Sequence, residues 1–313
     1  MKGMELAAKF YGEYGSVLVS GLSYSVESRL AFGLVGPGSE CLGFDDELSQ
    51  DHDFGPGFCV WVPHDLWDEC GEELSHRYAS LPREFLGYRR TEMPLAGQRV
   101  GVFQTEAFYR NFTGLDRAPQ SVVEWLRIPE QLLAIVTGGA VFKDMSNQFS
   151  QIRSVYEDFY PESVIRKKVA ANMSIMAQSG QYNLQRCLAR HEVVAANVAR
   201  SEFLCAAMAA LHLLSGSYMP FYKWSFRSLS ERAYVPAPIC ELVRKIAMAP
   251  VSRVSQADVE SLCGIVLRCV LALGWATGDS NFLLDAALSI WQGIPNDYLR
   301  ERPLNEGAFS NDL

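Results

Sequence analysis

Leu34-Val35-Gly36-Pro37-Gly38-Ser39-Glu40-Cys41-Leu42-Gly43-Phe44-Asp45-Asp46-Glu47-Leu48-Ser49-Gln50-Asp51-His52-Asp53-Phe54 is the stretch on which the reading of the chain turns. Upstream of it, Leu30–Val35 is apolar throughout, which predicts a strand buried on both faces. Gly36-Pro37-Gly38 ends that strand in a tight turn, because glycine reaches backbone angles other residues avoid and proline stops any regular element. Downstream, Asp51-His52-Asp53-Phe54 and then Phe58–Val62 read as the next strand, with Pro63 closing it. In an extended segment residues two apart share a face, so Asp51 and Asp53 are expected to project together, with His52 packed on the other side.

Two carboxylates held about 4 Å apart repel by on the order of 1 kcal/mol in water, and by more where burial lowers the dielectric. A hard divalent cation is the simplest counter-charge, and Mg²⁺ prefers carboxylate oxygens while keeping positions open for phosphate. The turn supplies the complementary half: Gly38 lets backbone approach a phosphate chain, and the Ser39 hydroxyl can donate to it. Asp45, Asp46 and Glu47 read as a solvated acidic loop.

Outward from this stretch, apolar residues at three- and four-residue steps predict a helix over 64–81, stopped at Pro82. Strand-like runs follow at Phe85–Arg89 and Arg99–Gln104, then helices over 121–126 and 130–137, then a short strand from Ala140 towards Asp144. Beyond about residue 145 the pattern is helical: 148–159, 161–179, 182–215, 238–249, 255–275 and 281–292, with Gly180, Gly216 and Pro250 as breaks and Ser255-x-x-Asp258 as a capping pattern. The tail from Pro295 is polar and reads as partly mobile. These patterns predict an α+β fold in two domains, 1–145 with a mixed sheet and flanking helices and 146–313 all-α.

The 313 residues carry 36 acidic against 28 basic side chains, a net charge of −8, the wrong sign for a protein that coats nucleic acid. No run of about eighteen apolar residues and no signal-like opening is present, so a cytoplasmic protein without membrane association is expected. The eight cysteines form no CxxC pair and read as small core residues.

Gly38-Ser39, eleven intervening residues, Asp51-His52-Asp53 and an apolar Phe54 resemble the signature of the DNA-polymerase-beta-like nucleotidyltransferases. More closely, 38–59 is similar to the DUF4037 family of that superfamily. The similarity continues through Pro129-Glu130-Gln131, 139–144, Tyr160-Pro161-Glu162, Gln181-Tyr182-Asn183 with Arg186 and Arg190, and 218–224. The resemblance implies a nucleotidyltransferase-type catalytic domain followed by a helical one, as in kanamycin nucleotidyltransferases. It also implies transfer of a nucleoside monophosphate, AMP being expected, from a triphosphate with Mg²⁺ or Mn²⁺. Asp51 and Asp53 would hold metal, and Gly38 and Ser39 the phosphates. A third carboxylate is expected at Glu106, or second at Asp144. Tyr182, Arg186 and Arg190 share one face at four-residue steps and, with Lys223 beside Trp224, are candidate nucleotide contacts or structural surface. Glu192 is a conceivable general base. The acceptor, whether small molecule, protein or RNA end, is not written in these motifs. The competing readings are a catalytically silent nucleotide- or partner-binding protein and an RNA- or protein-modifying toxin–antitoxin-type module.

Overall fold

The computed structural model describes residues 1–50, 54–91 and 98–309. Asp51, His52 and Asp53 therefore lie outside the described residues. The chain forms two compact units: residues 1–119 with 132–158, and residues 120–131 with 159–313. The helix Gln148–Glu157 belongs with the first unit and the helix Val122–Arg127 with the second.

In the first unit the strands are β1 (Ala31–Leu34), β2 (Cys59–Val62), β3 (Glu84–Phe85), β4 (Tyr88–Arg89), β5 (Gly101–Gln104) and β6 (Ala140–Asp144). A mixed sheet runs in the order β5-β2-β1-β6, and β3 and β4 make a separate small hairpin. β1 is antiparallel to both β2 and β6, whereas β2 and β5 are parallel. The central strands β1 and β2 are buried at every position, which is why they read as unbroken apolar runs.

Alternation along β2 divides the core. Phe58, Val60 and Val62 join Phe10 and Leu18 of the helix Gly3–Leu18 and Leu74 and Tyr78 of the helix Glu72–Ala79. On the opposite face, Trp61 stacks on Phe149 at 3.9 Å and meets Phe108 edge-on at 5.5 Å. Gly33 is required by close approach: a Cβ there would stand 2.4 Å from the Ala140 carbonyl oxygen, where the β1–β6 register shifts.

Two local differences from the expectation have physical causes. Phe54 is not part of a strand; Gly55 (φ 134°) and Pro56 follow it, and extended pairing resumes only at Cys59. The helix expected over 64–81 runs as His64–Leu66, a π turn Trp67–Gly71 and Glu72–Ala79, with Gly71 packed against the Trp67 ring.

The second unit is helical, as expected. Glu162–Met176 continues through a π segment Ala177–Leu184 into Gln185–Ala189, so Gly180 is no break. Its Cβ would lie 2.2 Å from the Phe203 ring, and glycine is needed for the helix Val193–Leu214 to approach. That helix is long and apolar enough to span a membrane by length and composition, and Ala196, Phe203, Ala207 and Ala210 on it are buried in the unit. The break expected to be absent before it falls at 190–192, where His191 has φ 62°. Ser255 caps Gln256–Ala272 by position but not through its side chain, and Asp258 turns to Lys245 at 2.7 Å. The tail is pinned as far as Phe309: Lys167 Nζ donates to the carbonyls of Pro303 and Leu304, and the Phe309 amide donates to Asn172 Oδ1.

His212, fully buried, lies 2.8 Å from the Met208 carbonyl oxygen and 3.2 Å from Ser228 Oγ. Burial pulls its pKa down to about 4, so folded His212 stays neutral where the unfolded imidazole, near 6.5, takes up a proton. The unfolded state then binds more protons, and this contribution to stability is lost as pH falls from 6.5 towards 4, by up to about 3 kcal/mol. We expect His212→Gln to flatten that part of the profile; urea unfolding of both proteins at pH 7 and pH 5 checks it, and equal slopes would contradict the assignment.

Candidate functional site

The geometry of the first unit centres on Gly36-Pro37-Gly38, where the chain leaves β1. Gly36 and Gly38 have φ of 148° and 151°, angles that disfavour side chains. Ser39 opens a single helical turn, Ser39–Leu42, closed by left-handed Gly43. A Cβ on Gly38 would fall 2.0 Å from Arg99 Nη2 and 2.6 Å from Glu40 Oε2. Arg99 is the clamp: its Nε donates to the Pro37 carbonyl at 2.8 Å, and its Nη2 pairs with Glu40 in an ion pair that is largely shielded from solvent. Beneath the turn, the Cys59 thiol donates to the Arg99 and Val35 carbonyls. Burial pushes Cys59 up to about 12 and raises Cys41 as well, so both are packing thiols rather than nucleophiles or ligands.

A cavity of about 470 Å³ opens beside this turn, lined by Leu34, Glu40, Phe54, Gly55, Tyr78 and three arginines, Arg83, Arg90 and Arg99. Phe54 is the residue next to Asp53 in the chain, and the Thr91 amide and hydroxyl tie its backbone to the hairpin arm. Arg90 Nε donates to the Pro56 carbonyl at 2.8 Å while its guanidinium lies 5.3 Å from the Tyr78 ring centroid. Among the described lining residues three arginines stand against one carboxylate, Glu40, a cationic composition suited to polyphosphate. The sequence marks none of the three arginines as a site residue: Arg83 and Arg90 flank the Phe85–Arg89 run, and Arg99 opens the strand-like run to Gln104.

On the other side of Arg99 is a second cavity of about 380 Å³. It shares Gln98 and Arg99 with the first and is otherwise walled by the turn residue Pro37 and by Phe103, Phe108, Phe112, Gln104 and Asn111.

The expected third carboxylates lie elsewhere. The Gly-Ser turn follows the Leu34 end of β1, the same sheet end as Cys59 and Gly101. Glu106 follows Gln104 at the other end of β5, roughly 10 Å of strand away at about 3.3 Å per residue. There its Oε2 accepts the His64 amide at 2.9 Å, capping the helix that leaves β2. Asp144 pairs in register with Ala31, also the far end, and accepts the Ser150 amide at 2.8 Å. Both are helix-capping carboxylates. Asp45 is not a solvated loop residue as expected: it is 3 % exposed and accepts the Gly3 amide at 2.7 Å, anchoring the first helix. Among the described residues no group of three or more His, Cys, Asp or Glu could hold a metal ion.

The remaining candidates belong to the second unit. Tyr182 and Arg186 stack on each other, guanidinium to ring centroid 4.6 Å, on an exposed surface. Arg190 ends the helix Gln185–Ala189, Glu192 precedes Val193–Leu214, and Lys223 Nζ lies 5.6 Å over the Trp224 ring. Gln181 is structural, its amide spanning Glu260, the Asn281 carbonyl and the Leu283 amide.

Residues 125–225 match the model of DUF4037, a domain of unknown function, the family the motifs resemble. That match does not include Gly38-Ser39 or Asp51-x-Asp53. No curated protein and no solved structure matches the chain.

Two glycine substitutions of opposite sign test the turn. Gly38→Ala should cost about 1–3 kcal/mol by backbone strain and collision with Arg99 and Glu40. Gly12→Ala, at an exposed helical site with nothing within 4 Å, should gain roughly 0.5–1 kcal/mol. Urea unfolding midpoints measure both.

Proposed function

We propose that the chain is a divalent-metal-dependent nucleotidyltransferase that moves a nucleoside monophosphate, AMP by expectation, from a triphosphate to an acceptor and releases pyrophosphate. The observation that carries this reading is the arginine-lined cavity beside the Gly-Ser turn, which runs from the Arg99 clamp to Phe54, the neighbour of Asp53. Its chemistry fits a polyphosphate, and the spacing of Gly38-Ser39 to Asp51-x-Asp53 is that of the resembled superfamily.

In this reading Arg83, Arg90 and Arg99 bind and orient the triphosphate, and Ser39 adds a hydroxyl donor. Glu40 keeps Arg99 aimed across the turn. The two carboxylates of Asp51 and Asp53 have the oxygen-donor chemistry that Mg²⁺ or Mn²⁺ takes, and the bound ions supply charge neutralisation at the transferring phosphoryl group. Phe103, Phe108 and Phe112 offer faces on which a purine can stack, and the Asn111 and Gln104 amides can bond its edge. The acceptor remains a small molecule, protein or RNA end.

A second reading is favoured by the positions of Glu106 and Asp144. With both carboxylates capping helices at the far sheet end, a protein that binds a nucleotide and does not turn it over accounts for the same cavity.

Incubation with each labelled triphosphate and Mg²⁺ or Mn²⁺, with and without cell extract, separates the two. The enzyme reading expects pyrophosphate and a labelled acceptor, both lost on EDTA treatment and in Asp51→Asn/Asp53→Asn, a fall of at least about 10²-fold. Nucleotide binding with no pyrophosphate under any condition selects the silent binder. Transfer that survives the double substitution overturns the metal assignment.

A further inference from the structure

Pro129-Glu130-Gln131, within the residues that match the family model, has no part in the cavities of the first unit. In the second unit it walls a separate cavity of about 200 Å³, bounded by Leu126–Glu130, Lys168 and the tail residues Gly307–Phe309. Glu130 and Lys168 are each 4 % exposed and both line it, yet among the described residues no ion pair joins them. Glu130 Oε1 accepts the Met219 amide at 2.7 Å, and its second oxygen meets no donor among the described residues. The Lys168 ammonium has no acceptor among them either; its neighbour is the face of Tyr160, 5.1 Å from nitrogen to ring centroid. Close by in the chain, the Gln131 amide is buried with neither its nitrogen nor its oxygen hydrogen-bonded, and the Tyr160 hydroxyl is buried without a partner.

Buried charges are ordinarily paired, and buried polar atoms bonded, because leaving them unmet is costlier than any single contact is favourable. Here an ammonium has no protein acceptor and a carboxylate oxygen no protein donor among the described residues, and both side chains border the open space of the cavity. The volume, room for about six or seven waters at ~30 Å³ each, is below the ~300 Å³ at which drug-sized pockets begin. A nucleotide does not fit. A ligand bearing only a carboxylate would serve Lys168 and set a second negative charge beside Glu130; one bearing only an amine would do the reverse. A small molecule with both groups satisfies both walls.

We propose that this cavity binds a free α-amino acid, its ammonium donating to Glu130 and its carboxylate accepting from Lys168. Burial pushes the Glu130 carboxyl up to about 7, against the pull of Lys168 and the Met219 amide, and lowers Lys168, so each side chain gains from an incoming opposite charge. The tail residues Gly307–Phe309 form one wall, and at about 200 Å³ the cavity leaves little room beyond the ammonium and carboxylate of such a ligand. Small side chains are therefore expected to bind best. The site is independent of nucleotidyl transfer in the first unit.

The full chain is screened by thermal unfolding with each of the common amino acids, acetate and ethylamine at millimolar concentration, and any hit is titrated by calorimetry. At least one small amino acid should raise the midpoint while acetate and ethylamine do not. Glu130→Gln and Lys168→Met should each weaken binding by more than about tenfold with the circular dichroism spectrum unchanged. No stabilisation of the wild-type chain by any amino acid, equal binding of acetate, or undiminished affinity in both folded variants would each overturn the proposal. The wild-type arms decide the question even if neither variant folds.

Discussion

The first unit depends on one guanidinium. Arg99 holds the Pro37 carbonyl and Glu40 across a turn that two glycines make passable, and it does so over the buried thiol of Cys59. The chain on either side of that contact forms the walls of two cavities, one cationic and one aromatic. A planar group with five donors in a fixed fork bonds the carbonyl and the carboxylate through different nitrogens, which sets their relative placement more narrowly than the single ammonium of a lysine would.

Strand direction decides the rest of the chemistry available there. A residue just past the end of a strand can serve only that end of the sheet. Gly38, Arg99 and Phe54 are gathered at one end because β1 runs antiparallel to β2 and β5 runs parallel to it. Glu106 and Asp144 are delivered by the same pairing to the other end, where helix N-termini with unbonded amides take up their carboxylates. Two acids that look alike in the chain thus act as caps and leave the cavity's described lining with Glu40 as its one carboxylate.

The second unit handles buried polarity differently. His212 is satisfied by a backbone oxygen and a serine hydroxyl and is held neutral, a closed arrangement that adds rigidity and no reactivity. Lys167, fully buried, is satisfied by two tail carbonyls. Lys168, the next residue, turns with Glu130 towards open space instead. The contrast between adjacent lysines on one helix separates a structural buried charge from one with unused binding capacity.

The sequence by itself determined the alternation of strands and helices to about residue 145, the helical remainder, and the family resemblance. These rest on local periodicity and on turn residues whose backbone requirements are intrinsic. Even so, locality misled where a distant neighbour imposed the answer: Gly180 makes room for Phe203 rather than ending a helix, the Asp258 carboxylate of the capping pattern turns to Lys245, and Asp45 is buried under the first helix. The Gly-Ser turn of the candidate site was legible in the sequence, whereas the residues that line the cavities were decided by tertiary structure. Arg83, Arg90 and Arg99 line one cavity from separate points of the chain, and Glu130 and Lys168 line another across a gap in sequence that no spacing rule bridges. Pairing direction and the packing of one element on another bring such residues together, and both are set by contacts between residues far apart in the chain.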